Sequence, residues 1–355
     1  MAGGGNGRVY LDWNAGAPLR AEARAAMAAA ADVAGNPSSV HAEGRAARAL
    51  VERARAQVAA ALGADPAQVV FTSGATEAAA MALAGRDLLA APVEHDCVAA
   101  WTRAELAVDA GGRVAVAEPG RTALQAANPE TGVLQDLPQG LAVVDAAQAA
   151  GKVPFAFGWS GAEMALVSAH KLGGPKGVGA LLLRDGVEAG RALRGGGQEL
   201  GRRAGTENVT GIAGFGAAAE AAARDLADGV WERVAEIREI LESALASAAE
   251  TTIFVGKGGP RLPNVTCLAT PGWKGETQVM AMDLAGFAVS AGSACSSGKV
   301  RASRTLAAMG LGAEAAASAI RVSIGPATTQ AQALAFAEAW EKARRRVRAR
   351  AATAA

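Results

Sequence analysis

The sequence predicts an α/β domain with a mostly parallel sheet, joined to a second, smaller α+β lobe. Up to about residue 225, short apolar runs alternate with helical segments, the pattern of strands connected by crossovers. From 252 to 325 the pattern of strand candidates and helices looks α+β. Apolar residues make up 51% of the 355 and charged residues 19%, which allows two or three packed domains and excludes a disordered chain.

In chain order, a Gly-rich start leads into a strand at Arg8–Leu11. Residues 41–62 read as an amphipathic helix with Ala47, Leu50, Ala54, Val58 and Ala61 on one face. Val69-Val-Phe-Thr reads as a buried strand, Ser73-Gly-Ala-Thr as a turn, and Glu77–Ala84 as a helix. Further strands are expected at 142–145, 165–168 and 178–183. From Gly211 to Ala248 the pattern is helical almost throughout and carries the chain into the second lobe. There 253–255, 264–268, 288–290 and 320–323 are strand candidates, and the boundary falls near residue 225.

Lys and Arg number 35 against 34 Asp and Glu, so no charge excess calls for nucleic acid or an anionic membrane. The basic stretch Lys342–Arg350 ends an Ala-rich helix and is expected to be a solvated face that suits the helix dipole. No run of about 18 apolar residues exists to span a bilayer, and the first residues lack a signal peptide's basic and apolar regions. Three cysteines, at 97, 267 and 295, have no metal-ligand spacing and suit a reducing cytoplasm.

Ser73-Gly-Ala-Thr-Glu follows a strand and opens a helix, where backbone N–H groups and a hydroxyl either cradle a phosphate or make an ordinary cap. Lys171, one of seven lysines, stands beside His170 before a Gly-rich turn. Desolvated there, its amine would be nucleophilic; otherwise it is a solvated loop lysine. Asp145 ends a strand, with Gln148 three residues on, and can hold a protonated pyridine nitrogen or cap the next turn. Cys295 lies among small polar residues that suit a reactive thiol, whereas Cys97 and Cys267 read as packing. His41 can simply open a helix, and His95 follows Glu94 in a loop where a ring can stack or move a proton. The glycines at 195–197 lack a strand-turn-helix context, which rules out a nicotinamide site, and no Walker A motif is present.

Together these segments resemble the cysteine desulfurases, pyridoxal phosphate enzymes of fold-type I, the aspartate-aminotransferase-like fold. Seven runs match in order: G-N-P-S-S-V-H (35–41), F-T-S-G-A-T-E (71–77), E-H (94–95), D-A-x-Q (145–148), S-A-H-K (168–171), R-A-G-T-E-N (203–208) and S-A-G-S-A-C-S-S-G (290–298). The resemblance extends from Tyr10-Leu-Asp to Ile320-Arg-Val-Ser-Ile-Gly, and the last run is similar to the branch with a long mobile cysteine loop that serves nitrogenase and general iron–sulfur assembly.

The resemblance implies a large pyridoxal-phosphate-binding domain at 15–225, and a small domain from 1–14 and 226–355 that carries the cysteine loop. It also implies a cytoplasmic homodimer. Lys171 would carry the cofactor as a Schiff base, His95 would stack on its ring, Asp145 would pair with the ring nitrogen, and Gln148 would bond the ring hydroxyl. Ala75, Thr76, Ser168 and His170 would form the phosphate cup, completed by Thr206 from the partner subunit. Arg321 would grip the carboxylate of L-cysteine. Cys295 would take its sulfur as a persulfide, leave alanine, and pass the sulfur to an acceptor protein, an iron–sulfur scaffold or carrier.

The chain departs from the family at Asn128-Pro-Glu-Thr-Gly, where Pro129 replaces an asparagine that helps position substrate and ring. The intervals from His95 to Asn128 and from Gln135 to Asp145 are also short. These departures motivate one alternative, a weakly active or inactive paralogue serving as a scaffold; a near neighbour of the main reading is a related pyridoxal phosphate lyase such as one acting on selenocysteine.

Overall fold

The computed structural model describes residues 7–249, 251–292 and 302–354. The first half contains β1 (Val9–Tyr10), α1 (Ala21–Ala31), α2 (Ala42–Ala61), β2 (Val69–Thr72), α3 (Ala75–Leu83), β3 (Leu89–Ala90), α4 (Asp96–Ala99), β4 (Arg103–Ala104), β5 (Ala123–Gln125), β6 (Val143–Asp145), α5 (Phe157–Ser160), β7 (Met164–Ser168) and β8 (Gly179–Leu183). The second contains α6 (Val209–Ala227), α7 (Val230–Ala248), β9 (Ile253–Phe254), β10 (Val265–Ala269), α8 (Gly275–Leu284), β11 (Phe287–Ala288), β12 (Ser290–Ala291), α9 (Arg304–Ala308), α10 (Ala313–Ala317), β13 (Ala319–Ser323) and α11 (Gln330–Ala354).

The main sheet has the order β2-β8-β7-β6-β5. Strands β5, β6 and β7 pair in parallel, and β8 runs antiparallel between β7 and β2. Every residue of the five strands is buried, which explains their continuous apolar runs. Alternate side chains serve opposite faces. Phe71, Val144, Ala165 and Leu182 meet Val51, Ala54 and Val58 of α2 and Ile212 and Phe215 of α6. Val70, Val143, Leu166 and Leu181 meet Ala78, Met81 and Leu83 of α3.

A second sheet, β12-β13-β10-β9, is antiparallel throughout. It has its own core, in which Leu268, Ile320 and Val322 pack on Trp231 and Leu241 of α7, Met282 of α8, and Phe336 and Trp340 of α11. The N-terminal segment joins this layer: β1 pairs with β11, and Leu11 is fully buried in the second core. None of the described helices is long and apolar enough to cross a membrane.

Three local differences from the sequence reading have physical causes. The helical stretch 211–248 is broken at Gly229, whose φ of 67° ends α6 and starts α7. The strand expected at 288–290 is two short strands, one pairing with β1 and the other with β13. Arg344, in the basic stretch expected to be solvated, is buried, with its guanidinium 5.8 Å from the Trp340 ring centre and donating to the Ala248 carbonyl.

Glu199 and Leu200 both adopt left-handed backbone, with φ of 48° and 57°, a conformation L-residues avoid. The Glu199 carboxylate compensates by accepting both Arg55 terminal nitrogens, at 2.8 and 2.9 Å, and the Phe71 N–H at 2.9 Å. Glu199→Ala would leave the Arg55 guanidinium without its buried partner and the turn without its tether. Stability is expected to fall by about 3–5 kcal/mol, read as a lower urea midpoint at unchanged slope.

Candidate active site

The C-terminal ends of the parallel strands collect most of the residues singled out by sequence, as open α/β sheets do. Asp145 ends β6, Ser168 ends β7, and Lys171 follows in the single turn 169–171. Ser73–Thr76 links β2 to α3 beside them. This turn lies so close to β8 that a Cβ on Gly179 would sit 2.7 Å from the Gly74 Cα. From the other layer come Arg321, in the middle of β13, and Asn14, just after β1. Between the layers lies a cavity of about 660 Å³.

Ala75, Thr76, His95, Asp145, Gln148, Ser168, His170, Lys171 and Arg321 all line this cavity. Thr206 is exposed and does not line the cavity of its own chain. Cys295 lies outside the described residues, although Gly292, at one end of its segment, reaches the cavity wall. His41 caps the start of α2, its Nδ1 accepting the Gly44 N–H and lying 3.1 Å from Glu43 Oε2, and it does not line the cavity.

Lys171 is held by carbonyls: its Nζ donates to Asn14 O at 2.6 Å and Ala15 O at 3.1 Å. Burial, reinforced by the Arg321 charge, lowers its pKa to about 8. Burial pushes the Asp145 carboxyl up, while the Ala147 N–H, His95 and Lys171 pull it back. Its Oδ1 accepts that Ala147 N–H at 2.9 Å, so the capping role and the cavity position coexist. His170, desolvated and facing Lys171 and Lys176, is lowered to about 4 and is a neutral ring at pH 7.

His95 caps α4, its Nδ1 accepting the Cys97 N–H at 3.2 Å and lying 3.0 Å from the Cys97 Sγ. Cys97 packs in the apolar cluster on α3 and also borders the cavity. Burial and then Asp145 push that thiol up to about 12, which keeps it protonated. Cys267 is fully buried against Leu306 and Met309, as a packing residue should be.

Arg321 is buried and already engaged, with Nη2 on Asp12 Oδ1 at 2.7 Å and Nη1 on the Pro129 carbonyl at 3.1 Å. Its Nε is a buried donor without a partner; the Gln125 Nε2 donor and the Glu94 Oε2 and Glu130 Oε1 oxygens around the cavity are likewise unpaired. Buried polar groups are seldom left unpaired, so this set suits a site that receives a polar ligand. Asn128 does not stand in for the asparagine replaced by Pro129. Its Oδ1 accepts the Glu130 and Thr131 N–H groups of its own turn, and its Nδ2 donates to Val93 O.

Sequence reasoning missed Asn14, Glu94, Glu130 and Lys152. Lys152 is buried, although most lysines other than Lys171 look like surface positions in the sequence. Its signal was its place four residues after Gln148. No cluster of three or more His, Cys, Asp or Glu suited to a metal occurs among the described residues.

Residues 9–336 match the family model of class-V aminotransferases. The chain is 39% identical to a cysteine desulfurase of Klebsiella pneumoniae over 86% of this chain and 84% of that protein. Its fold matches the X-ray structure of a NifS-like protein from Rickettsia africae with a TM-score of 0.86 at 29% identity, covering 94% of this chain and 99% of the other. It also matches the structure of SspA in complex with cysteine, with a TM-score of 0.75 at 25% identity, covering 90% of this chain and 100% of that one.

Proposed function

We propose a division of labour for this chain, which belongs to the class-V aminotransferases and, within them, to the pyridoxal-phosphate-dependent cysteine desulfurases. It converts L-cysteine to L-alanine, and the sulfur passes through Cys295 to an acceptor protein of iron–sulfur assembly or another sulfur-transfer route. The observation that carries this reading is the meeting of Lys171, Asp145, His95 and Arg321 around one cavity.

The cavity's donor set fits pyridoxal phosphate. Gly74 leaves the first turn of α3 without a side-chain cap, which suits a phosphate at Ala75 and Thr76, with Ser168 and neutral His170 alongside. A buried carboxylate at Asp145 suits a protonated ring nitrogen, and Gln148 suits the ring hydroxyl. When bound, the cofactor supplies an electron sink for charge developing at the substrate Cα.

The chain's own groups do the rest. Lys171, with its pKa lowered to about 8, offers a free amine to a minority of molecules at pH 7 and can carry the Cα proton. Asp145 keeps the ring nitrogen protonated, and His95 covers the ring and relays protons. Arg321 binds the substrate carboxylate through its free Nε edge. The Cys295 thiolate attacks the substrate sulfur, so an S–S bond forms as the Cβ–S bond breaks, and Cβ takes a proton to give alanine. In this reading residues 15–225 form the cofactor domain, residues 1–14 and 226–355 the domain bearing Cys295, and Thr206 completes the phosphate site of a second subunit.

The test is alanine formation from L-cysteine by the protein purified with pyridoxal phosphate and a reductant. Steady alanine, lost in Cys295→Ala together with a trappable persulfide, is the expected result. A persulfide trapped equally in Cys295→Ala would sink that residue as the nucleophile. A folded, cofactor-loaded protein that makes no alanine would instead assign the scaffold role that Pro129 suggests.

A further inference from the structure

We propose that Lys152 is a positioning residue that sets the direction of a buried hydrogen-bond chain reaching Gln148, Lys171 and Arg321. Its Nζ bonds to two side-chain amide oxygens, Gln148 Oε1 at 2.6 Å and Asn14 Oδ1 at 3.0 Å. An ammonium only donates, so both amides must turn their oxygens to it, and a neutral amine still has two N–H groups, one for each of these oxygens.

Everything downstream follows from that constraint. With Oε1 fixed, Gln148 must present Nε2 as a donor, and it reaches the Asn14 carbonyl at 3.0 Å on the cavity wall. The same carbonyl receives Lys171 Nζ at 2.6 Å. With its Oδ1 taken by Lys152 and by Asn264 Nδ2, Asn14 must present Nδ2, which donates to the Pro129 carbonyl at 3.2 Å. That carbonyl also receives Arg321 Nη1 at 3.1 Å. Asn14 is fully buried, and its own N–H donates to Ser323 Oγ at 3.0 Å, so the hub is held from both layers. Lys152 itself is 2% exposed, and burial, with the Lys171 and Arg321 charges, pushes its pKa well down, so the two short contacts to oxygen, not the charge, fix it as the donor.

At Pro129 the chain has no side-chain amide to offer a ligand, and the backbone carbonyl becomes the junction between Asn14 and Arg321. Two arms thus leave Lys152. One orients the donor offered to the cofactor hydroxyl, and the other orients the guanidinium offered to the substrate carboxylate. This inference rests on the functional reading above.

The two arms can be tested separately. Lys152→Met keeps the side chain's bulk and removes its donors. Titration of the apoprotein with pyridoxal phosphate, followed by visible absorbance, is expected to show affinity about tenfold weaker, the worth of one ordered hydrogen bond. The pH midpoint of the bound cofactor's band should move upward, because its ring oxygen loses a fixed donor. Asn14→Asp keeps an acceptor for Lys152 but loses the donor to Pro129. It is expected to raise KM for L-cysteine about tenfold while cofactor affinity stays within about twofold.

If Lys152→Met does not fold, Asn14→Asp decides: an unchanged KM overturns the proposal. Unchanged affinity and an unchanged band midpoint in a folded Lys152→Met would overturn it as well, even if that variant melted earlier. A wild-type protein that takes up no pyridoxal phosphate would overturn the functional reading and this one together.

Discussion

Lys171→Met is expected to reduce alanine formation by about 10⁴-fold, the upper end of what a positioned acid–base group contributes. The loss should be in kcat, because Lys171 touches the reacting carbon's proton while Arg321 still grips the carboxylate. Folding should survive. The native Lys171 ammonium is disfavoured by burial, so an apolar chain of similar length removes a desolvation penalty along with two bonds to carbonyls. The sign of the pH dependence follows from the same environment. With the pKa lowered to about 8 from an ordinary 10.5, the unfolded chain binds the proton more tightly between those values. The Lys171 contribution to stability therefore rises with pH from about 8 to 10.5 and is flat below and above. The rate at which apoprotein captures the cofactor aldehyde should climb with the free-amine fraction and level off above about pH 8. A capture rate independent of pH between 6 and 9 would mean that Lys171 is not the amine involved.

Asp145→Asn is expected to lower kcat by about 10²–10³-fold, the usual loss when one preorganised electrostatic partner is removed from a reacting centre. An amide cannot balance a proton on a ring nitrogen, so the electron sink weakens while the cavity keeps its shape. Stability should move the other way or not at all. Burial raises the Asp145 pKa, so its ionised form at neutral pH is held at a penalty in the cofactor-free protein. Because the folded pKa lies above the unfolded one, stability falls as pH rises through that window, and the amide substitution would abolish this fall. Activity assays and thermal melts of apoprotein on one preparation test both halves. A variant that loses activity only by melting at a lower temperature would assign Asp145 a structural role.

Much of the cavity was legible because its parts are local. The strand-turn-helix at 69–83, the carboxylate at the end of β6 and the lysine in the turn after β7 each show within a short stretch of sequence. The buried strands were readable for the same reason: a strand covered on both faces is a short uninterrupted apolar run. Helix α8 was not, because the face it buries carries Gly275, Gln278 and Met282 and gives no clean apolar period. Helix α1 was hidden by composition, since alanine populates its buried and exposed sides alike. Cys97 looked like packing because Val98 and the alanines after it are apolar, yet α4 is a single turn that points the thiol at His95. Asn14 and Lys152 left the weakest trace. What makes them matter is which amides and carbonyls meet them, and those partners lie up to 309 residues away.

That separation in sequence governs when the site can exist. Asn14 joins Pro129, Gln148, Lys171, Asn264 and Ser323, so nearly the whole chain must be present before its hydrogen bonds close. Contacts of such long range form late, because the entropy of closing very large loops precedes any reward from the contact. During synthesis the five-stranded sheet is complete once residue 183 has emerged, whereas Arg321 and Ser323 follow about 140 residues later. At the 5–20 residues per second typical of translation, that interval lasts roughly 7–28 seconds. For that time the nascent chain carries Lys171 without the layer that desolvates it, and reactivity of the lysine arrives with β13.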